Sequence, residues 1–258
     1  MIALIDGDIC AFRCGFSCES WVIDEHGEKQ KAVLPVEIAY ARLNEMIEQI
    51  LQATGATEYQ IFLTDSDGNF RKTVSTDYKA NRKDVPRPIH LKALEEFLIR
   101  SWGAVRAVGE EADDLLGITQ TTLEDEKLLE KDTPSIICSI DKDLLQIPGK
   151  HYNFVKQEFQ TVTYDDGMFA FYKQLLMGDS TDNIGGCPGI GEKKALKFLQ
   201  PAYGNEFELF REVYEQYKKA FPTLCPEELE ELITTVGRLV YIRRKPGELW
   251  SIPTFSEA

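Results

Sequence analysis

Two carboxylates three residues apart, Asp179 and Asp182, open the stretch GDSTDNIGGCPGIGEKKA at residues 178–195. On a helix or tight turn that spacing puts both on one face, where they can serve one cation. Five glycines and a proline lie in the same stretch, and Lys193 and Lys194 then start a helical pattern. A glycine-rich turn that feeds a helix N-terminus presents bare backbone N–H groups to an anion, and phosphate suits it. Further acids recur at Asp6 and Asp8, at Asp65, at Glu111, Asp113 and Asp114, and at Asp141 and Asp143. Glu111 and Asp114 are one helical turn apart, and Asp141 and Asp143 share one side of an extended chain. Nine of these carboxylates, all but Asp8, on one edge would repel one another unless cations sat among them. Oxygen donors without His or Cys select Mg²⁺ or Mn²⁺. Two such ions about 3.5–4 Å apart can activate water and steady the leaving oxygen in phosphodiester hydrolysis. No Ser–His or Cys–His pair offers a covalent nucleophile instead, and the three histidines (26, 90, 151) are scattered.

The elements that would position these acids are legible. Residues 1–6, 59–64 and 135–140 are short apolar runs, the first ending in a carboxylate, Asp6, and the others running into Asp65 and Asp141. Ala39, Leu43, Met46, Ile47, Ile50 and Leu51 have helical spacing between Pro35 and Gly55. Residues 66–90 read mostly as loop, a helix is expected at about 91–101, a short strand near 104–108, and a helix from about 111. Strands alternating with helices predict a parallel α/β sheet, in which ligands bind outside the carboxyl ends of the strands. Residues 151–164 read as a β-hairpin, and only helical patterns follow. The expected division is an α/β domain over 1–165 and a helical region over 166–258, joined by a short linker and packed as one body.

The net charge is −14, from 29 basic and 43 acidic residues, which taken alone disfavours nucleic acid. Distribution qualifies that. Residues 71–106 carry nine Lys/Arg against four Asp/Glu, and 238–245 carry four basic residues and no acid. Setting the nine site acids aside leaves 34 acids against 29 basic residues. The run from Glu124 to Asp132 reads as solvated helix surface. Six cysteines (10, 14, 18, 138, 187, 225) without a disulfide-like spacing, and no signal peptide or long apolar run, imply a reducing cytosol and no membrane. Cys10, Cys14 and Cys18 could line one helix face; buried thiols are the simpler reading than a soft-metal site.

The blocks FRKTVSTDYKANR (70–82), EADD (111–114), SIDKDLLQI (139–147) and GDSTDNIGGCPGIGEKKA (178–195) resemble, in order, the signatures of the flap endonuclease and 5′-to-3′ exonuclease family. The bacteriophage and bacterial-polymerase-associated branch matches best. The resemblance covers about residues 1–200. It implies a PIN-like α/β domain, a helix–hairpin–helix-type DNA clamp and two divalent ions held by Asp6, Asp65, Glu111, Asp113, Asp114, Asp141, Asp143, Asp179 and Asp182. It places Lys79 and Arg82 at the scissile phosphate, where cations offset developing charge. Arg71 and Tyr78 become DNA contacts, Tyr78 by stacking, although a packed core tyrosine fits that position equally. Gly189, Ile190, Gly191, Lys193 and Lys194 become the backbone grip, with K⁺ at the turn. The implied substrate is duplex DNA with a 5′ end, nick or flap, or an RNA primer, met by a monomer in the cytoplasm (the host's, if phage-encoded). The interval from Arg82 to Glu111 leaves room only for a short arch. The tail GRLVYIRRKPGELWSIP is either a duplex contact or a lid packed on the α/β part.

Two other readings compete. A haloacid-dehalogenase-type phosphatase would use the DxD of LIDGDIC, with a phosphoaspartate at Asp6, but its late acidic motif should follow a strand. MFAFYKQLLM before GDSTDN reads as helix. A non-catalytic, structure-specific DNA-binding protein would keep the clamp without needing the full carboxylate set.

Overall fold

The computed structural model describes residues 1–23, 25–65, 68–128 and 134–254, with side chains from 125 to 128 excepted. The acidic run that ends at Asp132 lies partly outside the described residues. In chain order the first elements are β1 (Ile2–Asp6), α1 (Gly7–Ser17), β2 (Glu19–Ile23), β3 (Lys29–Val33), α2 (Val36–Thr54), β4 (Glu58–Leu63), α3 (Arg71–Val74) and α4 (Leu91–Trp102). There follow β5 (Val105–Arg106), α5 (Ala112–Leu128), β6 (Ser135–Cys138), β7 (Gly149–Asn153), β8 (Glu158–Val162) and α6 (Tyr164–Met177). The last are β9 (Gly178–Asp179), β10 (Ile184–Gly185), α7 (Glu192–Leu199), α8 (Glu206–Ala220) and α9 (Pro226–Val240).

The chain forms two compact units that interleave in sequence. The first comprises Met1–Gly68, Pro86–Ile140 and Gly149–Gln160; the second comprises Asn69–Val85, Asp141–Pro148 and Thr161–Ala258.

In the first unit a six-stranded sheet has the order β5-β4-β1-β6-β7-β8. β1 runs parallel to both β4 and β6, and β6 runs parallel to β7. Every residue of β1 is buried, as a central parallel strand covered on both faces requires. Helix α2 buries Ala39, Leu43, Ile47 and Ile50, the i, i+4 row that the sequence displays. Cys10, Cys14 and Cys18 are buried in this core, with the Cys14 Sγ 4.0 Å from Met46 Sδ. They pack as small apolar side chains. The antiparallel ribbon of β2 and β3 forms a separate sheet. The sequence did not announce it. Its strands bury little on either face, so no period-2 burial pattern marks them, and Trp21 is 70% exposed.

The second unit is mainly helical. Phe171, Tyr172, Leu175 and Leu176 of α6 meet Leu209, Val213 and Tyr217 of α8 and Leu229, Ile233 and Val236 of α9 in one core. Trp250 returns the tail to α9, whose Gly237 has no room for a Cβ: the indole carbons would lie 2.2–2.4 Å away. Among the described residues no helix is long and apolar enough to cross a membrane.

Candidate active site

At the carboxyl edge of the first unit's sheet, backbone donors aim oxygens of Asp6, Asp8, Asp65 and Asp114. Asp6 ends β1 and is the N-cap of α1: its Oδ1 accepts from the Ile9 N–H at 3.1 Å, and its Oδ2 accepts from Ser139 Oγ at 2.7 Å. It is 2% exposed. Asp8 accepts from the Thr64 N–H, and burial pushes its carboxyl up to about 6. Asp65, just past β4, accepts from Gly68 N at 3.0 Å and Gly109 N at 2.9 Å, which ties it to the loop that leads into α5. The Thr64 hydroxyl accepts from Ala112 N, and Asp65 N donates to Glu110 O. Asp114 is fully buried and its Oδ2 accepts from the Glu111 N–H, the reciprocal half of a capping box at the start of α5. Glu111 is buried beside it and Asp113 is half-buried.

The second unit holds the other four. Asp141 Oδ1 accepts from Asp143 N at 2.9 Å, and Asp143 Oδ2 accepts from the Gln174 side-chain amide at 2.8 Å. Burial, then the negative charges of Asp141 and Asp179, push the Asp143 carboxyl up to about 6. A carboxyl raised in this way gains from a cation. Asp179 sits in a two-residue ladder, Asp179 opposite Ile184 and Gly178 opposite Gly185, and its Oδ1 accepts from Thr181 N. Two glycines make that ladder possible. A Cβ on Gly178 or Gly186 would fall 2.2–2.4 Å from the facing backbone. Asp182 is turned toward cations: Lys79 Nζ lies 3.5 Å away, Arg82 is ion-paired to it, and the Tyr78 hydroxyl donates to it at 3.2 Å.

Lys79 itself has φ +56 and donates its N–H to Asp182 O at 2.8 Å. Asn81 and Arg82 donate to the carbonyls of Ser180 and Thr181, and Asn183 returns a bond to Asp77 O. The YKANR segment and the acidic turn are therefore one stitched structure.

Two expected DNA contacts are corrected. Tyr78 is 4% exposed and belongs to the helical core, so neither face of its ring is free to stack on a base. Arg71 is 2% exposed, and its guanidinium donates to Leu239 O at 2.9 Å and Tyr241 O at 2.7 Å. The basic tail is likewise spent on packing: Arg238 donates to Trp250 O, Arg243 lies over the Phe70 ring, and Arg244 donates to Gln146 O.

The glycine turn is exposed. Gly189 has φ +75 with open space around its Cα, Ile190 N donates to Cys187 O, and Lys194 Nζ closes on Gly189 O at 2.7 Å. Gly191 caps α7 without a side chain, and Lys193 and Lys194 are exposed.

Sequence reasoning missed Ser139, Thr64, Gln146 and Gln174. Neutral side chains carry no charge pattern; only adjacency to a strand end pointed to the first two. Among the described residues, no three carboxylate, imidazole or thiol groups are drawn together closely enough to hold an ion as they stand. The donor chemistry nonetheless fits a hard divalent cation. Each carboxylate oxygen that accepts one N–H keeps a lone pair, and those donors fix its direction as outer-shell partners of metal ligands do. GDSTDN follows helix α6, not a strand, which removes the basis of the phosphatase reading.

The chain is 29% identical over 234 residues to a "5′-3′ exonuclease" of Buchnera aphidicola subsp. Schizaphis graminum, covering 84% of this chain and 74% of that one. It is 26% identical to the flap endonuclease Xni of Shewanella sediminis, covering 62% and 65%. It is also 28% identical to DNA polymerase I of Synechocystis, of whose length it spans only 24%. The fold is that of the bacteriophage T5 flap endonuclease, solved as a pseudo-enzyme-product complex with DNA and metal ions. The TM-score is 0.56 at 17% identity, over 93% of this chain and 98% of that one. Residues 1–172, two thirds of the chain, match the family described as 5′-3′ exonuclease, N-terminal resolvase-like domain, and the chain belongs to that family.

Proposed function

We propose that this protein is a divalent-metal-dependent 5′ nuclease that hydrolyses DNA phosphodiester bonds from 5′ ends or at 5′-flap junctions. The observation that carries it is an oxygen-only set of acids, aimed by backbone N–H donors, in a chain of the 5′-3′ exonuclease family. The ions, Mg²⁺ or Mn²⁺ and two per molecule, would be held by Asp6, Asp65, Glu111, Asp113, Asp114, Asp141, Asp143, Asp179 and Asp182. When bound, such ions supply an activated water and charge stabilisation of the leaving oxygen. The chain's own residues do the rest. Ser139 and the Ile9 N–H hold both oxygens of Asp6 in place. Lys79 and Arg82, poised on Asp182, supply positive charge to a phosphate that takes over their contacts.

In this reading residues 1–165 are the catalytic part and 166–258 the DNA-binding part, which also lends Asp179 and Asp182 to the ions. Gly189, Ile190 and Gly191 would let the duplex backbone approach, with K⁺ as the ion of that turn, and Lys193 and Lys194 would add sequence-independent attraction. The substrate is duplex DNA with a 5′ end, nick or flap, with an RNA primer as a further 5′ strand, handled by a monomer in the cytoplasm. Six free cysteines suit that reducing compartment.

The test uses three 5′-labelled substrates (a flap, a nicked duplex and a blunt duplex), each incubated with Mg²⁺ and with chelator. Mononucleotide release marks exonuclease action, and a released flap marks endonuclease action. Asp179→Asn is expected to lower turnover at least 100-fold while DNA affinity in chelator stays near wild type. Intact DNA under every condition would leave only a binding module, and equal cleavage by wild type and Asp179→Asn would remove Asp179 from the site.

A further inference from the structure

A directional chain of amides leads from Asp143 into the interior of the helical unit. Asp143 Oδ2 accepts from Gln174 Nε2 at 2.8 Å. Gln174 Oε1 in turn accepts from Gln146 Nε2 at 2.6 Å, and the same Gln146 amide nitrogen donates to Val240 O at 2.9 Å. Gln146 Oε1 faces the Ile242 N–H at 3.4 Å, and its backbone carbonyl accepts from Arg244 Nη2 at 2.9 Å. Gln146 is buried, and α6 rests directly on its backbone: a Cβ on Gly167 would meet Gln146 O at 2.4 Å.

The order of donors and acceptors fixes every amide. Gln146 must turn its NH₂ toward Val240 O and Gln174 Oε1, because flipping it would set its oxygen against those two oxygens. With its own oxygen occupied by Gln146, Gln174 can present only N–H to Asp143. The end of α9 and the residues after it thus dictate which atom faces the carboxylate.

We propose that Gln174 is a positioning residue for the Asp143 carboxylate, that Gln146 sets the orientation of Gln174, and that the segment Val240–Arg244 thereby governs divalent-ion affinity. This rests on the reading of Asp143 as an ion ligand. The arrangement is the one by which an outer partner fixes a ligating carboxylate, where loss typically costs 10–100-fold in metal affinity.

The experiment is a titration of the full chain with Mn²⁺, followed by the electron paramagnetic resonance signal of the free ion and by the rise in melting temperature. Four variants accompany wild type: Asp143→Asn, Gln174→Met, Gln146→Met and the double Gln174→Met/Gln146→Met. Gln174→Met, near in volume but without the donor, is expected to weaken Mn²⁺ binding about tenfold or more. Gln146→Met should weaken it by a comparable factor. The double variant should lose no more than Gln174→Met alone, since both act through one amide. Gln174→Leu carries the same expectation if the methionine variant does not fold. A packing role would lower the melting temperature of the ion-free protein and leave Mn²⁺ affinity unmoved. If wild type binds Mn²⁺ and Asp143→Asn loses it while folded Gln174→Met does not, this inference falls and the nuclease reading stands. Additive losses in the double variant would also overturn it. If wild type takes no Mn²⁺, or Asp143→Asn matches it, the assignment of Asp143 as ligand fails and this inference fails with it.

Discussion

The guanidinium of Arg71 satisfies two carbonyls at the end of α9, Leu239 O and Tyr241 O, and lies 4.7 Å from the centre of the Phe70 ring. Helix ends leave such carbonyls without intrahelical partners, and a charged donor to each contributes more than a neutral one. Arg71→Met would strand both in a buried setting, and we expect a loss of about 3 kcal/mol or more in urea unfolding. The salt dependence of DNA binding should stay as in wild type, because no exposed charge is removed. A flattened salt slope with unchanged stability would return Arg71 to the DNA surface. The contrast with Asp6 is instructive about what a sequence displays. An acid at the end of an apolar run announces both its type and its place, since the strand's end is a ligand edge. An arginine in a polar stretch announces only its type. Whether it meets DNA or two carbonyls 168 and 170 residues away depends on packing that no local pattern encodes. Gln146 and Gln174 were hidden for the same reason.

Among elements, legibility followed burial. β1, β6 and the second half of β4 stood out as apolar runs because they are buried, and α2 stood out because one face is buried. The ribbon of β2 and β3 offers no such contrast, and β9 and β10 are only two residues long, whereas the equally short β5 falls within the strand expected near 104–108. Helix α6 shows a local signal of a different kind. Thr163 Oγ1 accepts from Asp166 N, and Asp166 Oδ2 accepts from Thr163 N, a capping box. Asp166 also receives the Thr163 hydroxyl at 2.6 Å and the Tyr203 hydroxyl at 2.7 Å. The Thr163 side chain, then Tyr203, hold the Asp166 carboxyl below its ordinary value. A depressed acid contributes stability above its unfolded pKa of about 3.9, and that contribution is lost as pH falls through the lower native value. Asp166→Ala should therefore melt below wild type at pH 6, and the gap should narrow at pH 3. A gap that holds constant with pH would mean that the charged carboxylate contributes nothing beyond its shape.

Across the whole molecule, part of the positive charge that the sequence sets against 43 acids is committed internally. Arg71, Arg238, Arg243 and Arg244 bond to carbonyls within the fold, Lys79 and Arg82 face Asp182, and Arg106 pairs with Glu95. The exposed lysines of α7 (Lys193, Lys194 and Lys197) stand next to a turn whose backbone is open to a phosphate. Attraction to DNA by a chain of net charge −14 must then be local, carried by few contacts, and steeply dependent on those few. Lys193 and Lys194 differ in this respect. The Lys194 ammonium closes the turn on Gly189 O, so its removal loosens that turn as well as taking away charge. Lys193 contributes charge alone. Lys193→Ala is therefore expected to lower the slope of log affinity against log salt by about 0.9, one released counterion, with the melting temperature unchanged. Lys194→Ala should lower the slope by a similar amount and also weaken binding at a salt concentration where the electrostatic difference has vanished. Fluorescence anisotropy with a labelled duplex in chelator, from low to high salt, reads both quantities. Equal slopes for wild type and Lys193→Ala would remove α7 from the DNA surface and leave an acidic protein without an identified means of holding a polyanion.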